Sequence, residues 1–406
     1  MSLFTSTHFA SACASGTDWR DTSKNILEKL EDIRTENDQF NFGFLYISDH
    51  LVEDTASIYN LFKSVLKIDN WIGSIGMGVI GCGETHVDTP AISAMIGHFD
   101  EDSFCIFPDD TETQENVLQW LKKNTPMLSI VHGDPMADRD PQELLKEIGE
   151  KTDSFLVGGL SSSRHAHYQI ANRICENAVC GALFSNTLPV STALSQGCQP
   201  ISAPLVITKT DDNIIMELDD QPALDVLQNI LRQHHAQKTG KDVEIFTIDL
   251  NETETSDHIP GEFKTLFQGN IHAAFPFNQS DQNDYIVRGL TGIYAQDRSL
   301  AVSEDVHVGQ ALMFVERDTD SMIADLSQSL NALKKRVMSE RKGFEPKAAL
   351  YISCIARGFS NNPHDVNEMS VIHDIIGSVP LTGFYAGGEI NNARLYGFTG
   401  ILVLFF

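Results

Sequence analysis

The tightest constraint on how this chain can fold is an internal echo. Leu45-Tyr46-Ile47-Ser48 returns near the other end as Leu350-Tyr351-Ile352-Ser353. Gly78-x4-Gly83-Glu84 returns as Gly383-x4-Gly388-Glu389, at the same spacing from the first match. A four-residue match alone carries little weight. Two matches in fixed spacing imply an ancient duplication, with one copy near each terminus. Each copy reads as strand, helix, glycine loop ending in Glu, then strand. A duplicated core of this kind places its glycine loops across a pseudo-twofold axis. A ligand lodged between them then meets Glu84 from one side and Glu389 from the other.

The rest of the chain alternates strands with helices. Apolar stripes at helical spacing mark 21–35, 52–66, 115–123, 141–152, 221–234, 318–340 and 366–376. Apolar runs of strand length mark 42–48, 91–99, 103–107, 127–132, 155–157, 179–185, 190–196, 204–210, 214–218, 242–250, 286–294, 347–354 and 395–406. The stretch 73–83 reads as a glycine-rich loop. The fold class is α/β, or α+β, with mixed sheets. A length of 406 residues with 42% hydrophobic content fits two domains. The hairpin turn at Asp211-Asp212-Asn213, leading into a helix that opens with Pro222, sets the expected domains at 1–210 and 211–406.

Charge removes several classes of function. The chain carries 56 acidic against 29 basic residues, a net charge of -27. Phosphate backbones and anionic membranes repel such a surface, so neither nucleic acid nor membrane is an expected partner. The densest basic run, Lys334-Lys335-Arg336 with Arg341 and Lys342, reads as one solvated helix face. No apolar stretch reaches membrane-spanning length, and the N-terminus has no secretory pattern. Seven scattered cysteines are no disulfide framework, and a cytoplasmic setting follows.

Several chemical motifs are set aside on their context. Gly76-Met77-Gly78-Val79-Ile80-Gly81 has the spacing of a dinucleotide loop, but lacks the strand before it and the helix after it. His165, His167, Cys175 and Cys180 lack the paired spacing of a zinc site, so no metal is expected. Gly159-Leu160-Ser161-Ser162-Ser163 lacks the closing glycine of a hydrolase elbow. Cys82 and Cys354 are the candidate nucleophiles. No nearby base is evident for either, and the plainer reading is a buried or pocket-lining thiol. What remains suits binding. Glu84 and Glu389 accept from an ammonium, Arg288 and Arg357 grip a carboxylate, and Gly83 and Ser161 add a backbone amide and a hydroxyl. With Cys82 and Cys354 as lining groups, this set fits a zwitterion such as an amino acid. No cofactor and no catalytic residue is assigned.

The order of motifs resembles the FIST family, the sensory domains of F-box and intracellular signal-transduction proteins. Gly81-Cys82-Gly83-Glu84, Phe155-Leu156-Val157-Gly158-Gly159-Leu160 and Leu218-Asp219-Asp220-Gln221-Pro222-Ala223-Leu224 carry the N-terminal part. Val287-Arg288-Gly289-Leu290, Cys354-Ile355-Ala356-Arg357-Gly358 and Gly383-Phe384-Tyr385-Ala386-Gly387-Gly388-Glu389 carry the C-terminal part. The resemblance implies a sensory role, with an amino acid or similar small polar molecule held between two domains. Residues 161–164 read Ser-Ser-Ser-Arg, where the family leads one to expect more glycine and acid. The sequence ends at Phe406 without an output domain, so signalling requires a separate protein partner. The alternative is a thiol-dependent enzyme using Cys82 or Cys354.

Overall fold

The computed structural model describes residues 3–6, 8–36, 39–107, 111–239, 270–277, 285–341, 343–358 and 368–406. The expected strand at 242–250 lies outside the described residues. The chain divides into two compact units, Met1–Gln196 with Ile323–Phe406, and Gly197–Met322.

The larger unit contains three copies of one chain path, where the sequence echo revealed two. After a short strand β1 (Leu3–Thr5), the first copy runs β2 (Phe9–Ser15), α1 (Trp19–Glu36), β3 (Phe42–Ser48), α2 (Thr55–Leu66) and β4 (Asn70–Gly76). A hairpin, β5 (Gly78–Gly81) and β6 (Glu84–Val87), and a closing strand β7 (Ala91–Gly97) complete it. The second copy follows the same path through β8 (Phe104–Phe107), α3 (Thr111–Leu121), β9 (Pro126–Gly133), α4 (Pro141–Thr152) and β10 (Phe155–Leu160). Its hairpin is β11 (Gln169–Ala171) and β12 (Ile174–Cys175), and it closes with β13 (Val179–Ser185).

The third copy opens with β14 (Val190–Gln196) and is then interrupted by the smaller unit. That insertion carries β15 (Cys198–Pro200), β16 (Leu205–Asp211), β17 (Ile214–Leu218), β18 (Gln221–Pro222), α5 (Ala223–Thr239), β19 (Ile271–Pro276), β20 (Tyr285–Tyr294), β21 (Ser299–Val302) and β22 (Ala311–Arg317). Its sheet is antiparallel, and β19 pairs with both β20 and β22, which closes the sheet on itself. Leu224, Leu227 and Leu231 of α5 pack with Ile207, Ile215 and Leu218 in its core. The third copy resumes with α6 (Thr319–Glu340), β23 (Ala348–Cys354), α7 (Ile355–Gly358), α8 (Glu368–Ile376) and β24 (Leu381–Ala386). It ends with the hairpin β25 (Gly388–Asn391) and β26 (Arg394–Tyr396), then β27 (Thr399–Phe405). A cut at 210/211 falls inside β16. The hairpin and helix signals there belong to the inserted unit, and one cut cannot describe a chain that leaves a unit and returns to it.

Each copy forms its own sheet in one strand order: β2-β7-β3-β4, β8-β13-β9-β10 and β14-β27-β23-β24. The pairs β3/β4, β9/β10 and β23/β24 are parallel, with a helical crossover between their strands, as parallel neighbours require. Each hairpin then crosses to another copy's sheet. The β5-β6 hairpin joins β24, the β25-β26 hairpin joins β10, and the β11-β12 hairpin joins β4. The register is identical at all three crossings: Gly383 faces Ile80, Gly158 faces Ile390, and Gly73 faces Ile170.

The three inner faces share one core, to which Phe42, Phe44 and Tyr46, then Ile130, Val157 and Phe184, then Ile352, Phe384 and Val403 contribute. Helices cover the outer faces, as with Ile26 and Phe62 over the first sheet and Leu330 and Ile372 over the third. Burial on both sides explains why these strands read as unbroken apolar runs. It also explains Gly73, Gly76, Gly78 and Gly81, which lie in β4 and β5, so that 73–83 is not one loop. A Cβ on Gly73 would lie 1.8 Å from the Leu45 carbonyl oxygen. The equivalent values are 1.8 Å for Gly158 against Val131 and 1.7 Å for Gly383 against Tyr351.

This register corrects the sequence echo. The position equivalent to Gly388 is Gly78, and the position equivalent to Glu389 is Val79, so Glu84 and Glu389 do not hold equivalent positions. The repeat stands on the chain path, but both halves of the echo are out of step with it: Leu45 corresponds to Tyr351, so Tyr46 faces the shared core where Tyr351 faces the outer helices. Among the described residues, no helix is long and apolar enough to cross a membrane.

Candidate functional site

Ligands of sheets with parallel strands bind where those strands end at their carboxyl side. Here three parallel pairs bring six such ends together, and Ser162 ties them. Its N–H donates to Ile75 O at 3.2 Å, beside the end of β4. Its hydroxyl donates to Tyr385 O at 2.5 Å in β24 and accepts from Met77 N–H at 2.8 Å. Gly387 N–H donates to Leu160 O at 3.0 Å, joining β24 to β10.

The three copies differ sharply here. Met77 alone separates β4 from β5, and Gly387 alone separates β24 from β25. Between β10 and β11 run residues 161–168, Ser-Ser-Ser-Arg-His-Ala-His-Tyr. This loop breaks the threefold pattern and is clamped to the first copy. Arg164 Nε donates to Asp49 Oδ2 at 2.8 Å and Nη2 donates to Oδ1 at 3.1 Å, while Asp49 itself is buried. Nη2 also lies 2.6 Å from Asp88 Oδ1, which His50 Nε2 approaches at 3.0 Å. Hydrogen bonds from Arg164 and then His50 hold the Asp88 carboxyl below the usual carboxylate range.

Ser161, at the loop's base, is fully buried. Its N–H donates to Gly133 O at 2.8 Å, and its hydroxyl lies 3.0 Å from His167 Nδ1. The loop walls a pocket of about 410 Å³, lined with Asp134, Arg164, His165, His167, Tyr168 and Glu176. Asp134 spends both oxygens on the backbone N–H groups of Met136 and Asn177, at 2.8 and 3.0 Å. The imidazoles, the guanidinium edge and Glu176 remain to face a guest.

Three of the other expected site residues form a buried cluster at the end of β23. Arg357 Nε donates to Glu368 Oε1 at 2.8 Å, and Nη2 donates to the same oxygen. Nη1 donates to Ser195 O at 3.2 Å. Glu368 further accepts from Tyr351 Oη at 2.9 Å and Ser353 Oγ at 3.1 Å. Glu389 has no exposed surface. Its Oε2 accepts from Thr399 N–H at 3.0 Å and Thr399 Oγ1 at 2.8 Å, while Oε1 has no partner. Burial pushes this carboxyl up to about 8, against the opposing pull of Thr399 and Arg357. Burial, and then the Glu389 charge, push the Cys354 thiol well above its ordinary range. Glu389 faces Gly159 across β25 and β10, so the cluster adjoins the strand that leads into the loop.

The remaining candidates lie elsewhere. Cys82 and Gly83 make the tight β5-β6 turn, with φ of 52° and 78°. Cys82 N–H donates to Leu381 O, at the start of β24. That is the opposite end of β24 from Ala386, roughly 17 Å away at ordinary strand rise. Cys82 Sγ donates to Ser11 O at 3.3 Å. Glu84 is half-exposed beside His86, at 3.6 Å. Arg288 belongs to the smaller unit, where its Nε donates to Glu304 Oε2 at 2.6 Å.

Sequence reasoning passed over Arg164, His165 and His167 as functional groups. Among the described residues no three or more His, Cys, Asp or Glu could hold a metal. The available signal was the polar run at 161–168, which departs from the family's expected loop.

The Glu389 environment has a measurable consequence. A carboxyl raised from 4.5 to about 8 holds its proton more tightly in the folded protein than in the unfolded chain. Its contribution to stability is complete below the ordinary value, declines as pH rises, and levels off above about 8. The slope between is at most about 1.4 kcal/mol per pH unit. Glu389→Gln is expected to flatten this part of the stability profile. Urea denaturation from pH 5 to 9 checks it, and an unchanged slope contradicts the assignment.

Residues 41–221 match the family model described as the FIST N domain, and residues 223–392 match the FIST C domain. The two matches meet at Pro222, inside the inserted unit. An uncharacterised protein of Mycobacterium tuberculosis (strain H37Rv) is 31% identical over 221 residues, 53% of this chain and 50% of the relative. An uncharacterised protein of Mycobacterium bovis is 30% identical over 219 residues, 52% of this chain and 49% of the relative. The chain spans about half the length of the curated relatives it matches.

Proposed function

Because the chain belongs to the FIST family, whose domains are sensory domains of signal transduction, we propose that it reports a small polar ligand of the amino-acid class held by loop 161–168. The observation that carries this reading is the loop itself. One of three equivalent connections is enlarged, and the enlarged one walls an open pocket. Arg164, His165 and His167 supply donors for a carboxylate, and Glu176 supplies an acceptor for an ammonium. Ser161 orients the His167 ring through its bond to Nδ1. Cys354, Arg357 and Glu389 do not line this pocket, and their cluster adjoins β10, the strand that leads into the loop. Cytoplasmic residence and a separate signalling protein as partner belong to the same proposal, and the acidic surface favours a basic partner.

A thiol enzyme is the weaker reading. A nucleophilic cysteine needs an accessible thiolate, whereas Cys82 and Cys354 are both buried and burial keeps Cys354 protonated.

A thermal-shift series with amino acids, small carboxylates and nucleotides tests the proposal. A true ligand at a hundred times its dissociation constant adds about 2.7 kcal/mol of stability. His165→Ala is expected to weaken that gain without changing the ligand-free melting temperature, because His165 is exposed. A gain that survives in the His165→Ala/His167→Ala protein, or silence across the whole panel, contradicts it.

A further inference from the structure

At the other end of the strands lies a second pocket, of about 160 Å³. It gathers His8, just before β2, His98, just after β7, and Lys347, just before β23. Among the described lining residues these three are basic, and Asp100 alone is acidic. The chain has only 29 Lys and Arg against 56 Asp and Glu, so such a convergence runs against its overall charge.

The groups are held in place. His98 N–H donates to His8 O at 3.0 Å, and the two rings stack with centroids 6.4 Å apart. His98 Nδ1 lies 2.6 Å from Gln39 O and must donate, since a carbonyl only accepts. That fixes the ring and leaves Nε2 for a guest. Lys347 N–H donates to Phe405 O at 2.7 Å, which anchors the root of its exposed side chain. Phe9, Phe99 and Phe405 form an apolar wall, against which charge interactions are strengthened. Burial first, and then Lys347 and His98, hold His8 below the ordinary imidazole range. The basic groups are therefore close enough to repel one another.

We propose that this pocket binds a small tetrahedral oxyanion, inorganic phosphate or a phosphate monoester, at a site separate from the pocket of loop 161–168. A phosphate presents several acceptor oxygens and can meet donors arriving from three loops, which the two coplanar oxygens of a carboxylate cannot do as fully. The pocket volume admits such a group. Asp100, exposed at the rim, opposes binding. The bound anion favours protonated His8, so affinity rises as pH falls through its titration and is lost as pH rises.

The test follows the histidine ring protons by NMR during titration with inorganic phosphate, with glycerol phosphate, and with chloride at matched ionic strength. Either phosphate is expected to raise the His8 midpoint by about one pH unit. The tighter of the two identifies the source. Lys347→Gln, an exposed substitution, and His98→Gln are each expected to weaken the response several-fold. An equal response to chloride, or a phosphate response unchanged in Lys347→Gln, overturns the proposal.

Discussion

Gly158→Ala is expected to destabilise the larger unit by at least about 3 kcal/mol, the severe end of overpacking effects. Gly73→Ala and Gly383→Ala are expected to do the same. The new methyl carbon would sit 1.8, 1.8 or 1.7 Å from a carbonyl oxygen of the neighbouring parallel strand. That neighbour is backbone, so no side chain can swing aside. The strands must part, which breaks the ladder between β9 and β10, β3 and β4, or β23 and β24. All three tryptophans, Trp19, Trp71 and Trp120, lie in the larger unit, so their fluorescence in urea reports its unfolding alone. Gly388→Ala, in the same unit, where an added Cβ makes only ordinary contact with its nearest neighbour at 3.5 Å, is the control and is expected to change stability by less than about 0.5 kcal/mol. Equal and small effects at all four glycines would contradict the threefold register.

Glu368→Ala is expected to cost about 3–5 kcal/mol, because it strands the buried Arg357 guanidinium without its counter-charge. Two further groups depend on that carboxylate. Tyr351 Oη and Ser353 Oγ lose their acceptor, and Arg357 keeps its contacts to the Ser195 and Phe398 carbonyls and the Ser195 hydroxyl. Arg357→Met combined with Glu368→Leu removes both charges and is expected to recover most of the loss. A double-mutant cycle in urea measures the coupling. A cost below about 1 kcal/mol for Glu368→Ala would place the pair in the solvent-screened class and contradict its burial.

Much of the architecture was legible because hydrophobic runs of strand length survive in buried parallel sheets. The strand at 42–48 and the helix at 141–152 fall where apolar spacing set them. The third copy was not legible. Its strand β9 reads Pro-Met-Leu-Ser-Ile-Val-His-Gly and keeps the apolar character of β3 without its letters. Only pairing register reveals the equivalence. The Gly-x4-Gly-Glu echo misled for a related reason. Glycine recurs wherever backbones approach closely, so two glycine matches aligned β5 with β24. Side-chain chemistry points to Cys354 and Arg357, and the echo adds Glu389; the structure gathers all three. Glu84 was tied to Glu389 by that same misaligned echo, and the two lie apart. The loop at 161–168 was read for a hydrolase elbow and for zinc. Its significance appears only when Met77 and Gly387 are known to hold the equivalent places.

The central claim is that loop 161–168 holds the sensed ligand. Hydrogen–deuterium exchange of the whole chain, with and without millimolar mixed amino acids, tests it most directly. The account predicts slowed exchange at 163–168 and around Met136, with the β5-β6 turn at Cys82 and Gly83 unchanged. Exchange slowed at that turn and unaltered in the loop would contradict it.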